Sequence, residues 1–178
     1  MRPALSGNNS HVSALEAAHL DAAVVLGRIA GATGLGMLLG VERELDGHEA
    51  GVRTHALLAL GAAVFGVISV GAFGQFAVVG KPANITVDVS RVAAYVSAGV
   101  GFLGAGTILK TGDHIKGLTT AASLWVAAAV GLAAGVGLWS AAVAGALLAF
   151  AALVAERPFA WLSTRLRSRR RDTEPPER

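Results

Sequence analysis

The chain has 178 residues, of which 53% are hydrophobic and only 15% charged, with 23 glycines and no cysteine. A soluble domain carries about 25% charged residues, so this composition argues against a soluble helical protein and for an integral membrane one. The absence of cysteine excludes disulfides and thiolate metal sites.

In chain order, residues 1–21 read as a polar tail. A cleavable signal peptide needs a basic start followed at once by an apolar core, and here the start is polar, with Arg2 set against Glu16 and Asp21. Roughly 20 apolar residues in a helix cross the hydrocarbon core. Five stretches qualify: about residues 22–40, 54–76, 91–109, 118–137 and 138–155. Residues 135–140 (GVGLWS) form the expected turn between the last two, with Trp139 suited to the bilayer interface. The expectation is an all-α polytopic bundle, with a membrane domain over residues 22–156 and a basic tail over 157–178. Arg43, Arg53, Lys110, Lys116 and the tail arginines fall on one side of a five-span path. The positive-inside rule puts that side in the cytoplasm and the amino terminus outside. Arg28 lies inside the first span. An intramembrane arginine is a functional candidate, and the alternative is that it snorkels to the headgroups.

Small residues recur at every fourth position: Gly27/Gly31 and Gly36/Gly40, then Ala93, Ser97, Gly101 and Ala105, then Ala127, Gly131 and Gly135, then Ala141, Gly145 and Ala149. Helices in lipid associate where small side chains let backbones approach, so a tightly packed bundle is expected. GLGMLLG (34–40) and GVGFLGAG (99–106) each precede a charged loop and a return span, a faint parallel repeat of the kind some transporters use.

The first loop concentrates charge: Glu42, Glu44, Asp46 and Glu49, with Arg43 and Arg53. If the first helix continues one turn past Gly40, Glu42 and Asp46 share a face, Glu44 points away, and Gly47 breaks the helix. Such oxygens suit Mg²⁺, which keeps several waters and needs only one or two carboxylates. The competing reading is a solvated loop whose acids pair with Arg43 and Arg53. Thr54, and Thr119 or Thr120, stand where they could cap the second and fourth spans; helix starts also attract anions, so a phosphate or the loop acids could sit there. No zinc spacing links His48, His55 and His114. No Walker loop, nucleophile elbow or kinase signature is present, so nothing proposes an enzyme or a tightly bound cofactor. Phe159, Leu162 and Leu166 recur beside Arg165, Arg167 and Arg169, which reads as a basic amphipathic helix on an anionic leaflet or as an unstructured tail.

Four segments carry a resemblance: Gly40–Glu44 (GVERE), 50–55 (AGVRTH), 101–109 (GFLGAGTIL) and 116–125 (KGLTTAASLW). In order and spacing they resemble the signature segments of the MgtC/SapB family, over about residues 22–156. The resemblance implies a bacterial inner-membrane protein, usually of five spans, associated with magnesium limitation. It implies Glu42, Glu44, Arg53, Thr54, His55, Lys116, Thr119 and Thr120 as positions that matter, without assigning their roles. The expectation is a protein of magnesium homeostasis, in the first place a Mg²⁺ transporter or channel component, with a non-transporting regulator of another membrane protein, such as the ATP synthase or a cation transporter, as the alternative. Homo-oligomers and lipid contacts fit both accounts, and a nucleic-acid partner fits neither. Many relatives carry an ACT-like carboxyl-terminal domain that 178 residues leave no room for. Many also have glutamine at the place of Tyr95.

Overall fold

The computed structural model describes residues 21–78 and 90–171, with side chains for residues 21–71 and 90–155. The described helices are α1 (Ala22–Leu45), α2 (Val52–Val78), α3 (Ser90–Thr107), α4 (Leu118–Val136) and α5 (Trp139–Arg171). A two-stranded antiparallel ribbon, β1 (Leu109–Thr111) and β2 (His114–Lys116), joins α3 to α4, with Leu109 opposite Lys116 and Thr111 opposite His114. Most of the polar amino-terminal tail, Lys81 and the last residues of the chain lie outside the described residues.

Helix ends follow local chemistry. Asp21 opens α1, its Oδ1 accepting the Ala23 N–H at 2.9 Å. At the other end Gly47 takes a left-handed conformation (φ 74°). The His48 N–H then reaches the Arg43 carbonyl at 2.9 Å and the Gly47 N–H reaches that of Glu44 at 3.1 Å. These paired bonds satisfy carbonyls that a helix end leaves open, and they confirm Gly47 as the helix breaker. Gly137 (φ 94°) ends α4 in the same way, with Leu138 bonded to Ala133 and Gly137 to Ala134, so the expected turn before Trp139 is present. The α5 backbone continues past Pro158 to Arg171, which makes the basic segment helical.

α4 packs against each of the other four helices. Its contact with α2 is the tightest. A methyl on Gly131 would run into the Ala59 carbonyl, and one on Gly135 into the Ala63 carbonyl. Equal steps of four residues in the same direction mean that α2 and α4 run parallel. Gly66 of α2 returns the contact, its missing Cβ lying 2.9 Å from the Leu132 carbonyl. α1 closes on α2 through Gly36, beside Ala59 and the His55 carbonyl, and Gly40, beside Gly51 and Val52. On one side of α4, Ala32, Ala63, Ala142 and Ala146 pack around Val130 and Ala134; on the other, Ala62, Val100 and Ala128 meet.

Other stripes differ from the four-residue reading. A helix turns every 3.6 residues, so a strict period of four walks off any one face. In α3 the buried positions are Val100 and Gly104, with Gly101 and Ala105 exposed; in α5 they are Ala142, Ala146 and Leu153 among the described side chains, with Ala141 exposed. A methyl on Gly27 would meet nothing, whereas Gly31 is covered by the Trp139 indole. Among the described residues three helices are long and apolar enough to cross a membrane: α1, α2 over Val52–Gly71, and α4. The apolar part of α5, Trp139–Ala155, is shorter. α3 carries Arg91, two serines and four glycines and is not among them.

Gly131→Ala should therefore lower stability by about 1–3 kcal/mol, the usual cost of overpacking. Gly27→Ala should leave it unchanged or raise it by up to about 1 kcal/mol. Thermal unfolding of both variants in detergent checks the difference.

Candidate functional site

The ends of α1 and α3 and the starts of α2 and α4 meet at one pole of the bundle. Glu42 and Arg43, at the end of α1, are only 3% and 1% exposed. Arg43 grips its neighbour with two bonds, Nε to Oε2 at 2.6 Å and Nη2 to Oε1 at 3.0 Å. Its Nη1 lies 3.4 Å from His48 Nε2. The Gly47 reversal makes this possible by folding His48 back against Arg43. The sequence offered Arg43 as a partner for acids in a solvated loop; the pair forms, but in the interior.

Glu44 points away from Glu42, as its helical position required. Its Oε2 accepts the Val52 N–H at 2.8 Å, so an acid from the last turn of α1 caps α2. Thr54 does not open the helix, because α2 already begins at Val52. A Cβ on Gly51 would lie 2.5 Å from Glu44 Oε2 and displace this carboxylate from the Val52 N–H. Asp46 is the exposed C-cap of α1, and Glu49 is exposed. The four acids thus take different places. Among the described residues no group of three or more His, Asp or Glu side chains could hold a metal ion.

Beneath the surface His55 is fully buried. Its Nδ1 lies 2.9 Å from the Gly51 carbonyl and its Nε2 3.0 Å from Ser123 Oγ. Ser123 also reaches the Thr120 carbonyl at 2.9 Å. A carbonyl can only accept, so Nδ1 carries a hydrogen. This chain of bonds joins the first loop to the first turns of α4.

Above it opens a polar cleft of about 440 Å³. His48, Glu49 and Ala50 of the first connection, Thr54 of α2, Thr107 of α3, Leu109 and Lys116 of the ribbon, the N-cap Gly117 and Thr120 of α4 line it. Gly117 (φ 87°) has no side chain to cap α4, and a Cβ on it would run into the Thr107 carbonyl. The structure thus brings Glu49, Thr54, Lys116 and Thr120 together, and places His55 below them. Thr119 turns toward a separate apolar recess with Leu39 and Leu153. Arg53 is exposed outside the cleft. Arg28 lies at the opposite pole, where Nη1 donates to the Gly135 carbonyl at 3.2 Å. A cation there suits the negative end of the α4 dipole, so Arg28 is tied to a helix end within the bundle.

His48, Thr107 and Ser123 join the site without having been singled out. The signal for His48 was Gly47, because a left-handed glycine folds the residue after it back onto the last turn.

Glu42→Ala should destabilise the protein by about 3–5 kcal/mol, the usual cost of leaving one member of a buried pair alone. Glu49→Ala, on the surface, should change it by no more than about 0.5 kcal/mol. Chemical unfolding of the two variants in detergent separates these outcomes.

The MgtC family profile matches residues 29–161. A protein of Escherichia coli K12 named "Putative magnesium transporter YhiD" is 42% identical over 110 residues, which is 62% of this chain and 50% of that protein. The uncharacterized protein slr0014 of Synechocystis is 41% identical over 124 residues, 70% of this chain and 48% of its own length. The protein MgtC of Brucella abortus is 47% identical over 103 residues, 58% of this chain and 39% of its own length. The chain thus spans about half or less of the length of these curated relatives. No solved structure matches it. With most of its described bundle inside the matched region, the chain belongs to the MgtC family.

Proposed function

We propose that this protein acts in magnesium homeostasis as a non-transporting regulator, a multi-pass protein of the bacterial inner membrane with its charged pole in the cytoplasm. It binds another membrane protein, such as the ATP synthase or a cation transporter, and the polar cleft is the surface that carries the signal. The observation behind this reading is the closure of the α1–α2–α4 core. Gly131 and Gly135 meet the α2 backbone directly, and His55 and Ser123 are bonded within the protein. A divalent ion crossing such a core would need oxygen ligands to replace its water. Glu42 is held by Arg43, and Glu44 caps a helix.

A second reading keeps Mg²⁺ transport, favoured by the name given to the E. coli relative and by Glu49 in the cleft wall. Glu49 would then meet a hydrated Mg²⁺ at the cytoplasmic mouth, and the path would run between subunits of an oligomer. The five-span arrangement, amino terminus outside, belongs to both readings.

Mg²⁺ flux into proteoliposomes holding only this protein separates them. The regulator predicts flux no greater than in empty liposomes. Saturable flux that falls in a Glu49→Gln variant would establish the transporter. Glu49 serves better than Glu42 as the control, because its side chain is exposed and its loss leaves the fold intact.

A further inference from the structure

Both α2 and α3 lean on α4 and touch each other little, which leaves an apolar groove of about 600 Å³ between them. Leu57 and Phe65 of α2 and Tyr95 and Leu103 of α3 line it, and each is more than half exposed. Gly61 and Gly99 lie in its lining, and a Cβ on either would meet nothing within 4 Å. The groove follows the part of α2 that is long and apolar enough to cross a membrane. Arg53 lies four residues before Leu57, on the same face of α2 and one turn nearer the charged pole. It is exposed and has no hydrogen bond or ion pair among the described residues.

We propose that this groove binds one anionic phospholipid, with an acyl chain between α2 and α3 and the headgroup phosphate on Arg53. The apolar lining suits a hydrocarbon chain and offers little to a polar ligand. Helical side chains tilt toward the amino terminus, so Arg53 extends past the end of α2 toward the headgroups. Its guanidinium can meet a phosphate through two parallel bonds. A second copy of the chain fits this face poorly. A symmetric contact would bring the same surface from both copies and set two uncompensated Arg53 side chains at the same membrane depth. The proposal is independent of whether the protein transports or regulates.

The test is competition between phosphatidylglycerol and phosphatidylcholine of the same acyl chains for the purified full chain, read as retained lipid by native mass spectrometry. Wild type should retain one phosphatidylglycerol in preference. Arg53→Gln should weaken its retention about fivefold, the worth of one interfacial cation near anionic lipid, and weaken phosphatidylcholine, whose choline already offsets its phosphate, by less, so that the preference is lost. Arg53→Lys should keep most of the preference. Gly99→Leu should reduce both lipids by filling the groove, and Gly61→Leu gives the same readout from the other wall. Equal retention of the two lipids by wild type, or a preference that survives Arg53→Gln, would overturn the proposal. So would a second copy cross-linked through a Gly99→Cys substitution in bilayers.

Discussion

The contact of two backbones, α2 and α4, underlies the rest of the structure. In lipid there is no hydrophobic gain from bringing helices together, so close van der Waals packing has to supply the attraction. Gly131 and Gly135 provide it by letting α4 rest on the Ala59 and Ala63 carbonyls. Because the two helices run parallel, the same contact sets their amino-terminal ends side by side. That juxtaposition puts His55 within reach of Ser123 and brings Thr54 and Thr120 to one cleft. It also places two positive dipole ends at one pole. The Glu44 carboxylate answers the α2 end, and at the far pole Arg28 answers the negative end of α4.

Burial sets Glu42 apart from the other acids of the charged segment. Glu42 and Arg43 leave water together, which is tolerable because their two bonds return part of the desolvation cost. The pair then holds the end of α1, and Arg43 and His48 hold the reversal after it. A loss of function on changing Glu42 would accordingly report on folding before it reported on ion binding. Glu49, free of that duty, is the carboxylate exposed to the cleft. The charged segment so divides into a structural half and a surface half within eight residues.

Much of this was legible in the sequence. Gly47 as helix breaker, the turn at Gly137 and the Gly131/Gly135 stripe followed from rules of local geometry. What the sequence hid were choices between faces and partners. A four-residue stripe in α3 or α5 names two adjacent faces equally well, and the neighbours decide which is buried. Thr54 looked like a cap because it is the residue type that caps, yet a carboxylate eight residues away reaches Val52 first. Glu49 meets Lys116 and Thr120 only when α2 packs on α4, a long-range event that no local pattern records.

Packing of α4 on α2 builds the polar cleft. The chain has no cysteine of its own, so a Glu49→Cys, Lys116→Cys pair can be joined by a short bifunctional reagent in native membranes. The structure predicts efficient cross-linking in this background and its loss when Gly131→Leu is added and the protein is still inserted. Cross-linking that persists with Gly131→Leu, or that fails without it, would contradict the account.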